Sequence, residues 1–124
     1  MNVNETSPEV QAMAAEWPIA DALMGGTSAM RSAGKAFLPR WPKEEPQDYA
    51  ARLSVATLFP AFRRTIGVMA GKPFSKQVTL SENVPAKLQQ ISENVDQQGR
   101  NLHAFLSDIM IDCLSKGIAG VLVE

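Results

Sequence analysis

GVMAGKP, residues 67–73, decides between a phosphate-binding loop and the end of a helix, because glycines followed by lysine are typical of such a loop. That loop needs four residues between its glycines and a Ser or Thr after the lysine. Here three residues separate the glycines and Pro73 follows Lys72. The preceding residues also have helical periodicity, whereas a phosphate-binding loop follows a strand. The stretch therefore predicts the end of a helix, with Gly71 at its C-terminal cap, and no nucleotide or other cofactor is expected.

The chain before this stretch, residues 8–72, is predicted to be helical with interruptions. Ser7 is a suitable N-cap for a first helix, because its hydroxyl can accept from a free backbone N–H of the first turn. Pro18 should kink or split that helix. Gly25-Gly26 breaks the apolar pattern again, and a short helix is expected to follow.

Residues 37–46 are predicted to form a loop, because three prolines in it prevent regular structure. Phe37, Leu38 and Trp41 are apolar, so the loop is expected to pack down onto the protein. The longest predicted helix then runs from about residue 46 to 70. Its apolar residues cover more than one face, which implies burial on more than one side, and Pro60 should kink it.

The second half of the chain is predicted to mix helices with two short strands. Residues 75–80 and the β-branched run 118–124 have the pattern of strands, and residues 84–95 and 101–116 that of helices. The predicted fold is therefore mainly α with a small β component (α+β). Because a buried strand needs partners, residues 1–124 are expected to be a single N-terminal portion of a longer protein. The alternative is that the last run pairs between subunits or with residues 76–80.

The composition is that of a globular chain, with 124 residues, 45% hydrophobic content and a formal net charge of −1. No basic start followed by an apolar run precedes the first helix, so no secretory signal is predicted. No stretch approaches the roughly 18 apolar residues of a membrane span. No membrane partner is therefore expected.

Charge is unevenly distributed along the chain. Residues 1–30 carry four acidic side chains and no basic one, whereas residues 31–76 carry nine basic against three acidic. Residues 77–124 carry three basic against six acidic. A basic middle segment can contact nucleic acid or an acidic neighbour, but most of its charges are interpreted as a solvated helix face. The residues singled out for a subunit or DNA contact are Arg63, Arg64 and Lys72.

The sequence indicates no catalytic or metal-binding constellation, and the chain is not predicted to be an enzyme. His103 is the only histidine and has no identifiable partner for acid–base chemistry. Asp108 and Asp112 lie four residues apart on one helix, but no third metal ligand is evident. Cys113 lies on the apolar stripe of the last helix and is expected to be a small buried hydrophobe. That helix and the strand after it are expected to be the most buried part of the chain.

A set of short motifs, in a fixed order and spacing, covers nearly all of residues 8–124. No single one is specific; the order and spacing carry the resemblance. They are Trp17-Pro18, Met30-Arg31-x-Ala33-Gly34, Phe37-Leu38-Pro39, Tyr49-x-x-Arg52, Phe59 to Arg64-Thr65-Ile66, Met69-Ala70-Gly71-Lys72-Pro73-Phe74, Val95-Asp96-x-x-Gly99-x-x-Leu102-x-x-Phe105 and Gly117-x-x-Gly120-Val121-Leu122-Val123. Together they resemble the N-terminal part of the portal, or head-to-tail connector, proteins of tailed bacteriophages and prophages. The similarity is greatest to a branch usually described only as uncharacterised phage protein.

The resemblance implies a structural virion protein that forms a ring of identical subunits at one capsid vertex. Double-stranded DNA would pass through the ring during packaging and ejection. The expected partners are the packaging terminase, the capsid and tail-adaptor proteins. The implied location is the virion, and the host cytoplasm during assembly. By analogy this part would be a wing-like module for lateral subunit contacts, without catalytic residues.

Two other classes of function stay open from the sequence. One is a small helical adaptor or nucleic-acid-binding regulator of phage origin, which would use the basic middle segment. The other is a piece of a phage enzyme whose active site lies beyond residue 124.

Overall fold

The structure, a computed structural model, describes residues 5–122, and the regular elements in that range are all helical. Its contacts form two compact units that divide between Thr65 and Ile66. That both units belong to one N-terminal portion of a longer protein stays a prediction. The elements are α1 (Pro8–Ala14), α2 (Trp17–Ala33), a 3₁₀ turn (Gly34–Ala36), α3 (Pro46–Val55), α4 (Ala61–Gly71), α5 (Ala86–Glu93) and α6 (Leu102–Lys116).

Local sequence signals correctly predicted where the first helices begin and break. The Ser7 side chain accepts a hydrogen bond from the backbone N–H of Val10, at 3.4 Å. The first helix ends before Pro18, which lies in the first turn of α2, where its missing N–H costs no hydrogen bond. Within α2, Gly26 has φ 69° and ψ −149°, so the helix is kinked there. The predicted break at the glycine pair is confirmed.

The prediction of one kinked helix over residues 46–70 is wrong, because residues 56–60 separate α3 from α4. Pro60 disfavours helical geometry at Phe59, the residue before it, and so acts as a boundary rather than a kink. The expectation of burial on more than one side fails as well. Val55 is 73% exposed and Phe59 is 78% exposed.

Tertiary hydrogen bonds explain why the chain leaves the helix at residue 56. The Arg31 side chain donates through Nε to the carbonyl of Ala56 at 2.9 Å. The backbone N–H of Leu58 donates to the Thr27 hydroxyl at 3.1 Å. Both backbone groups are thereby satisfied without helical partners, so the open segment leaves neither of them orphaned.

The predicted β component is also wrong, because residues 75–80 and 118–122 form no strand. The last two residues of the predicted strand 118–124 lie outside the described residues. A strand is stable only when its backbone groups pair with a neighbouring strand. In the first segment the N–H of Val78 donates instead to Nδ1 of His103, at 3.2 Å. Two short runs with β propensity are not enough to form strands here, because neither has a neighbouring strand with which its backbone can pair.

Few side chains are buried in either unit. The buried hydrophobic residues of the first unit are Met30 and Tyr49, and those of the second are Ile66 and Ala70. Helix α6 has no buried residue, so the expectation that it forms the most buried part is wrong. Cys113 is exposed rather than buried. The apolar stripe of α6 therefore lies on a surface that is only partly covered.

The ends of α6 and α4 follow the predicted chemistry. Asn101 Oδ1 accepts from the N–H of Ala104 at 2.9 Å, which caps the N-terminus of α6. Gly117 ends the helix at φ 80°, a left-handed conformation that glycine adopts without steric cost. Helix α4 ends at Gly71, which confirms that residues 67–73 close a helix. Gly71 is the last helical residue rather than a left-handed cap.

Candidate interaction surface

The loop between the 3₁₀ turn and α3, residues 37–45, is held in place by Arg52 of α3. The Arg52 guanidinium donates to both carboxylate oxygens of Glu44, at 2.7 and 2.8 Å. It donates as well to the carbonyl of Pro39 at 3.0 Å. Glu44 in turn accepts from the backbone N–H of Trp41 at 3.1 Å. Two-pronged pairs between arginine and a carboxylate fix geometry as well as charge.

Tyr49, one helical turn before Arg52, fixes the other end of this loop. Its hydroxyl donates to the carbonyl of Leu38 at 3.0 Å. The Arg52 guanidinium lies 5.4 Å from the centre of the Tyr49 ring, within cation–π range. Residues three apart share a helix face, so both side chains reach the same loop. Glu44, Tyr49 and Arg52 are called the Arg52 cluster below, and residues 37–45 the Trp41 loop.

The electrostatics of the Arg52 cluster favour its charged form. The hydrogen bond from Arg52 lowers the pKa of the Glu44 carboxyl to about 2, against the opposing effect of partial burial. The N–H of Trp41 contributes in the same direction. The same hydrogen bond raises the pKa of Arg52. The pair is therefore ionised at neutral pH.

Of the three apolar residues expected to pack the loop down, Phe37 and Leu38 are half-buried, whereas Trp41 points outward. Trp41 is 68% exposed, and Arg40 and Lys43 on either side of it are exposed. An open concavity of about 460 Å³ is lined by residues 41–44. A large exposed apolar side chain on a loop whose backbone is held in place is typical of a binding surface, because tryptophan and arginine are enriched at interface hot spots. The signal missed in the sequence is the run Arg40-Trp41-Pro42-Lys43.

The structure gives no support for a joint site formed by Arg63, Arg64 and Lys72. Arg63 and Arg64 lie in the first turn of α4, and Lys72 directly follows its last residue. All three are exposed, and none of their side chains has a hydrogen bond or ion pair within residues 5–122. They stay predicted contact residues that the structure neither brings together nor pairs.

His103 has a structural role that the sequence did not indicate. Its Nδ1 accepts from the Val78 N–H, and its ring meets that of Phe74 edge to face, with centroids 5.6 Å apart. The histidine thus holds the segment after α4 near the start of α6. Accepting through Nδ1 requires the proton to be on Nε2 in the neutral ring.

Arg100, just before α6, forms ion pairs with two acidic residues. Arg100 pairs with Asp96 at 3.0 Å and with Asp108 at 3.0 Å. Backbone N–H groups of Gln98 and Arg100 donate to Asp96 Oδ1 and hold the pKa of Asp96 below its ordinary value. Asp108 is therefore an ion-pair partner here rather than half of a metal-ligand pair.

Neither a metal site nor a membrane-spanning helix is found among the described residues. Within the described range, no three His, Cys, Asp or Glu side chains are grouped so that they could hold a metal ion. Over the same residues, no helix is both long enough and apolar enough to cross a membrane. The feature that distinguishes the molecule is thus the outward Trp41 on a fixed loop.

Comparison with known proteins adds no family to this description. No family model, no curated protein and no solved structure matches the chain.

Proposed function

We propose that this chain is a structural assembly module, the N-terminal part of a tailed-phage portal protein that forms a ring at the capsid vertex. In that role it binds other copies of itself laterally. The packaging terminase, capsid and tail-adaptor proteins are its partners, and double-stranded DNA passes through the complete ring. It acts in the virion, and in the host cytoplasm during assembly. The observation that carries the proposal is Trp41, held outward by the Arg52 cluster.

Two residues of the motifs that resemble portal proteins make contacts that shape this surface. Tyr49 donates to Leu38, and Arg52 binds the Trp41 loop. Gly34 has φ 54° and ψ −122°, a conformation that favours glycine. Motif residues with structural roles in presenting a surface fit an assembly protein better than a catalytic one.

Native mass spectrometry and negative-stain images of the intact gene product test the proposal. We expect a closed ring with a central channel, because head-to-tail contacts close into rings when their rotation permits. A product that stays monomeric or dimeric at every concentration, alone and with the other head proteins of the same phage, would refute it.

A nucleic-acid-binding adaptor is the second candidate, favoured by the exposed cations. Arg40, Lys43, Arg63, Arg64 and Lys72 are exposed. If all five neutralised duplex phosphates, the logarithm of the affinity would fall with that of the salt concentration with a slope of about −4.5. Titration of duplex DNA at several salt concentrations distinguishes the two functions. An assembly module shows either no binding or a slope well below that value.

A further inference from the structure

The second unit carries a groove with a non-helical segment along one wall and helices along the other. The groove has a volume of about 400 Å³ and lies between residues 77–82, helix α5 and the first turn of α6. We call it the His103 groove, after the histidine in its lining. Its lining combines apolar side chains with uncharged polar ones, the latter being Gln77, Thr79, Ser81, Gln89, Ser92 and Asn101. Such a mixture suits a ligand in which polar and apolar groups alternate, as they do along a peptide.

The backbone of the non-helical wall offers hydrogen-bonding groups that no other part of the described chain uses. Residues 77–81 contain no helix, turn or bend. The N–H groups of Gln77, Thr79 and Leu80 make no hydrogen bond within residues 5–122, and all three residues are exposed. Free N–H and C=O groups along an extended segment are a template for pairing with another chain. The β propensity of this segment would be satisfied by the same pairing.

His103 holds this wall in place from the side of α6. Its Nδ1 accepts from the Val78 N–H at 3.2 Å, and its ring meets that of Phe74 edge to face. The segment is therefore positioned although it has no strand beside it. A segment that is already positioned loses less conformational entropy when a partner pairs with it.

The two carboxylates in the lining give the groove a negative charge. Glu82 and Glu93 both line it, and neither forms an ion pair within the described residues. Glu93 is also the last residue of α5, at the negative end of the helix dipole, and no basic side chain lies in that turn. The start of α6 carries only about half a positive charge, and Asn101 already caps it. The groove therefore favours a cationic partner.

We propose that the His103 groove binds an extended peptide segment of a partner protein, which pairs with the backbone of residues 77–80 and places lysine or arginine side chains against Glu82 and Glu93. In this mode of recognition, main-chain hydrogen bonds supply affinity and alternate side chains supply specificity. Nucleic acid is a poorer occupant, because the two carboxylates repel phosphates. The inference does not rest on the proposed ring function, since a ring subunit and an adaptor can both carry such a groove.

Fluorescence anisotropy with short synthetic peptides tests the charge preference. The probe is a labelled seven-residue peptide with blocked ends, in which lysine alternates with valine and threonine. The matched probe has glutamate in place of each lysine. We expect the lysine peptide to bind at least about 10-fold more tightly, because it gains two ion pairs where the glutamate peptide meets repulsion.

Two N-methylated forms of the lysine peptide test the backbone pairing. One form is methylated at the odd-numbered amides and the other at the even-numbered amides, so that each loses the donors of one edge. Strand pairing uses one edge of the added segment, because successive backbone groups point to opposite sides. One form should therefore bind about 10-fold more weakly than the other, since it loses two or more hydrogen bonds.

Substitutions in the groove give a second readout with the same peptide. Glu82→Gln and Glu93→Gln should each weaken binding about 2- to 5-fold, the effect of an exposed ion pair. The matched control is Asp112→Asn, which removes an exposed carboxylate of α6 outside the groove and should leave binding unchanged. His103 is a positioning residue. His103→Phe keeps a ring but no acceptor and should weaken binding about 2- to 10-fold, whereas His103→Asn keeps an acceptor close to the place of Nδ1 and should lose less.

Hydrogen exchange followed by mass spectrometry locates the bound peptide. Exchange should slow at residues 77–80 and stay unchanged in α1 and α2. The inference is overturned if the lysine peptide does not bind at concentrations up to about 1 mM, if it protects other residues instead, or if both N-methylated forms bind equally well. A closed ring that binds no peptide would leave the proposed function standing, and a peptide-binding chain that never assembles would leave only this inference standing.

Discussion

Replacing Tyr49 by phenylalanine removes a single hydroxyl from the support of the Trp41 loop. The Tyr49 side chain is 8% exposed, and its hydroxyl donates to the Leu38 carbonyl at 3.0 Å. Phenylalanine keeps the ring over which Arg52 lies, so the substitution isolates the hydrogen bond from the cation–π contact. We expect the loop to loosen at Leu38 while the ion pair of Arg52 stays formed.

The structure sets the size of the effect. A hydrogen bond between neutral groups contributes about 0.5–1.5 kcal/mol, and a buried carbonyl left without a donor costs more. Leu38 is only half-buried, so water can reach its carbonyl after the substitution. We therefore expect Tyr49→Phe to lower the free energy of unfolding by about 1 kcal/mol. This corresponds to about 4 °C in Tm if the whole chain unfolds together, and about 7 °C if its 65-residue first unit unfolds alone.

Thermal and urea unfolding monitored by circular dichroism measure this loss. Ser54→Ala is the matched control, because it removes an exposed hydroxyl from the same helix that bonds only within its own turn. That control should change the free energy by no more than about 0.5 kcal/mol. If Tyr49→Phe is indistinguishable from Ser54→Ala, the hydroxyl does not hold the loop and the account of how Trp41 is positioned is wrong.

Three further predictions concern the ion pair, a strained glycine and the small core. Because the pKa of Glu44 is lowered from 4.5 to about 2, its stabilising effect is complete above pH 4.5 and is lost as the pH falls towards 2. The native chain should therefore lose more stability over that interval than Glu44→Gln, as measured by urea titration at a series of pH values. Gly34→Ala should lower the free energy of unfolding by about 1–3 kcal/mol, because φ is 54° at this residue. Gly67→Ala, at an open position of α4, should raise it by about 0.5–1 kcal/mol. A change of the same sign for both substitutions would contradict the backbone argument. Met30→Ala should lower the free energy of unfolding by about 2 kcal/mol, the low end for core truncation, because Met30 borders a cavity of about 220 Å³. A loss above about 4 kcal/mol in denaturant titration would show that the core is more tightly packed than this.

The starts of α1 and α6 and the end of α6 could be predicted from the sequence, because each depends on residues only a few positions away. Ser7 and Asn101 cap the helices that follow them, and Gly117 ends α6 in the left-handed conformation. The break at Gly26 follows from the same local freedom of glycine. In each case the deciding interaction spans only a few residues, so no knowledge of the fold was needed.

The errors occurred where distant residues compete with local preference. Residues 75–80 have β propensity, but His103, far along the chain, takes the N–H that a strand would have used. Residues 46–70 have helical periodicity, yet Arg31 and Thr27 bind the backbone at the gap. A short stretch of sequence does not identify such competing residues, because nothing in it shows which distant residues lie close in the fold.

The candidate surface was missed for a related reason. The apolar character of Trp41 predicted burial, since most tryptophan surface is buried in folded proteins. Whether a given tryptophan points inward depends on how its loop is held, and here Arg52 and Glu44 hold the loop. Arg63, Arg64 and Lys72 were selected by charge alone, and charge does not indicate which basic residues lie beside an apolar contact.

The sequence by itself determined the helical character of most of the chain, the caps of α1 and α6, the break at Gly26, and the rejection of a phosphate-binding loop at residues 67–73. These depend on backbone geometry and on hydrogen bonds within one turn. The tertiary structure alone decided the absence of strands among the described residues, the gap between α3 and α4, and the outward direction of Trp41. Each of these depends on contacts, or on the lack of contacts, between residues that are far apart in the sequence and meet only when the chain folds.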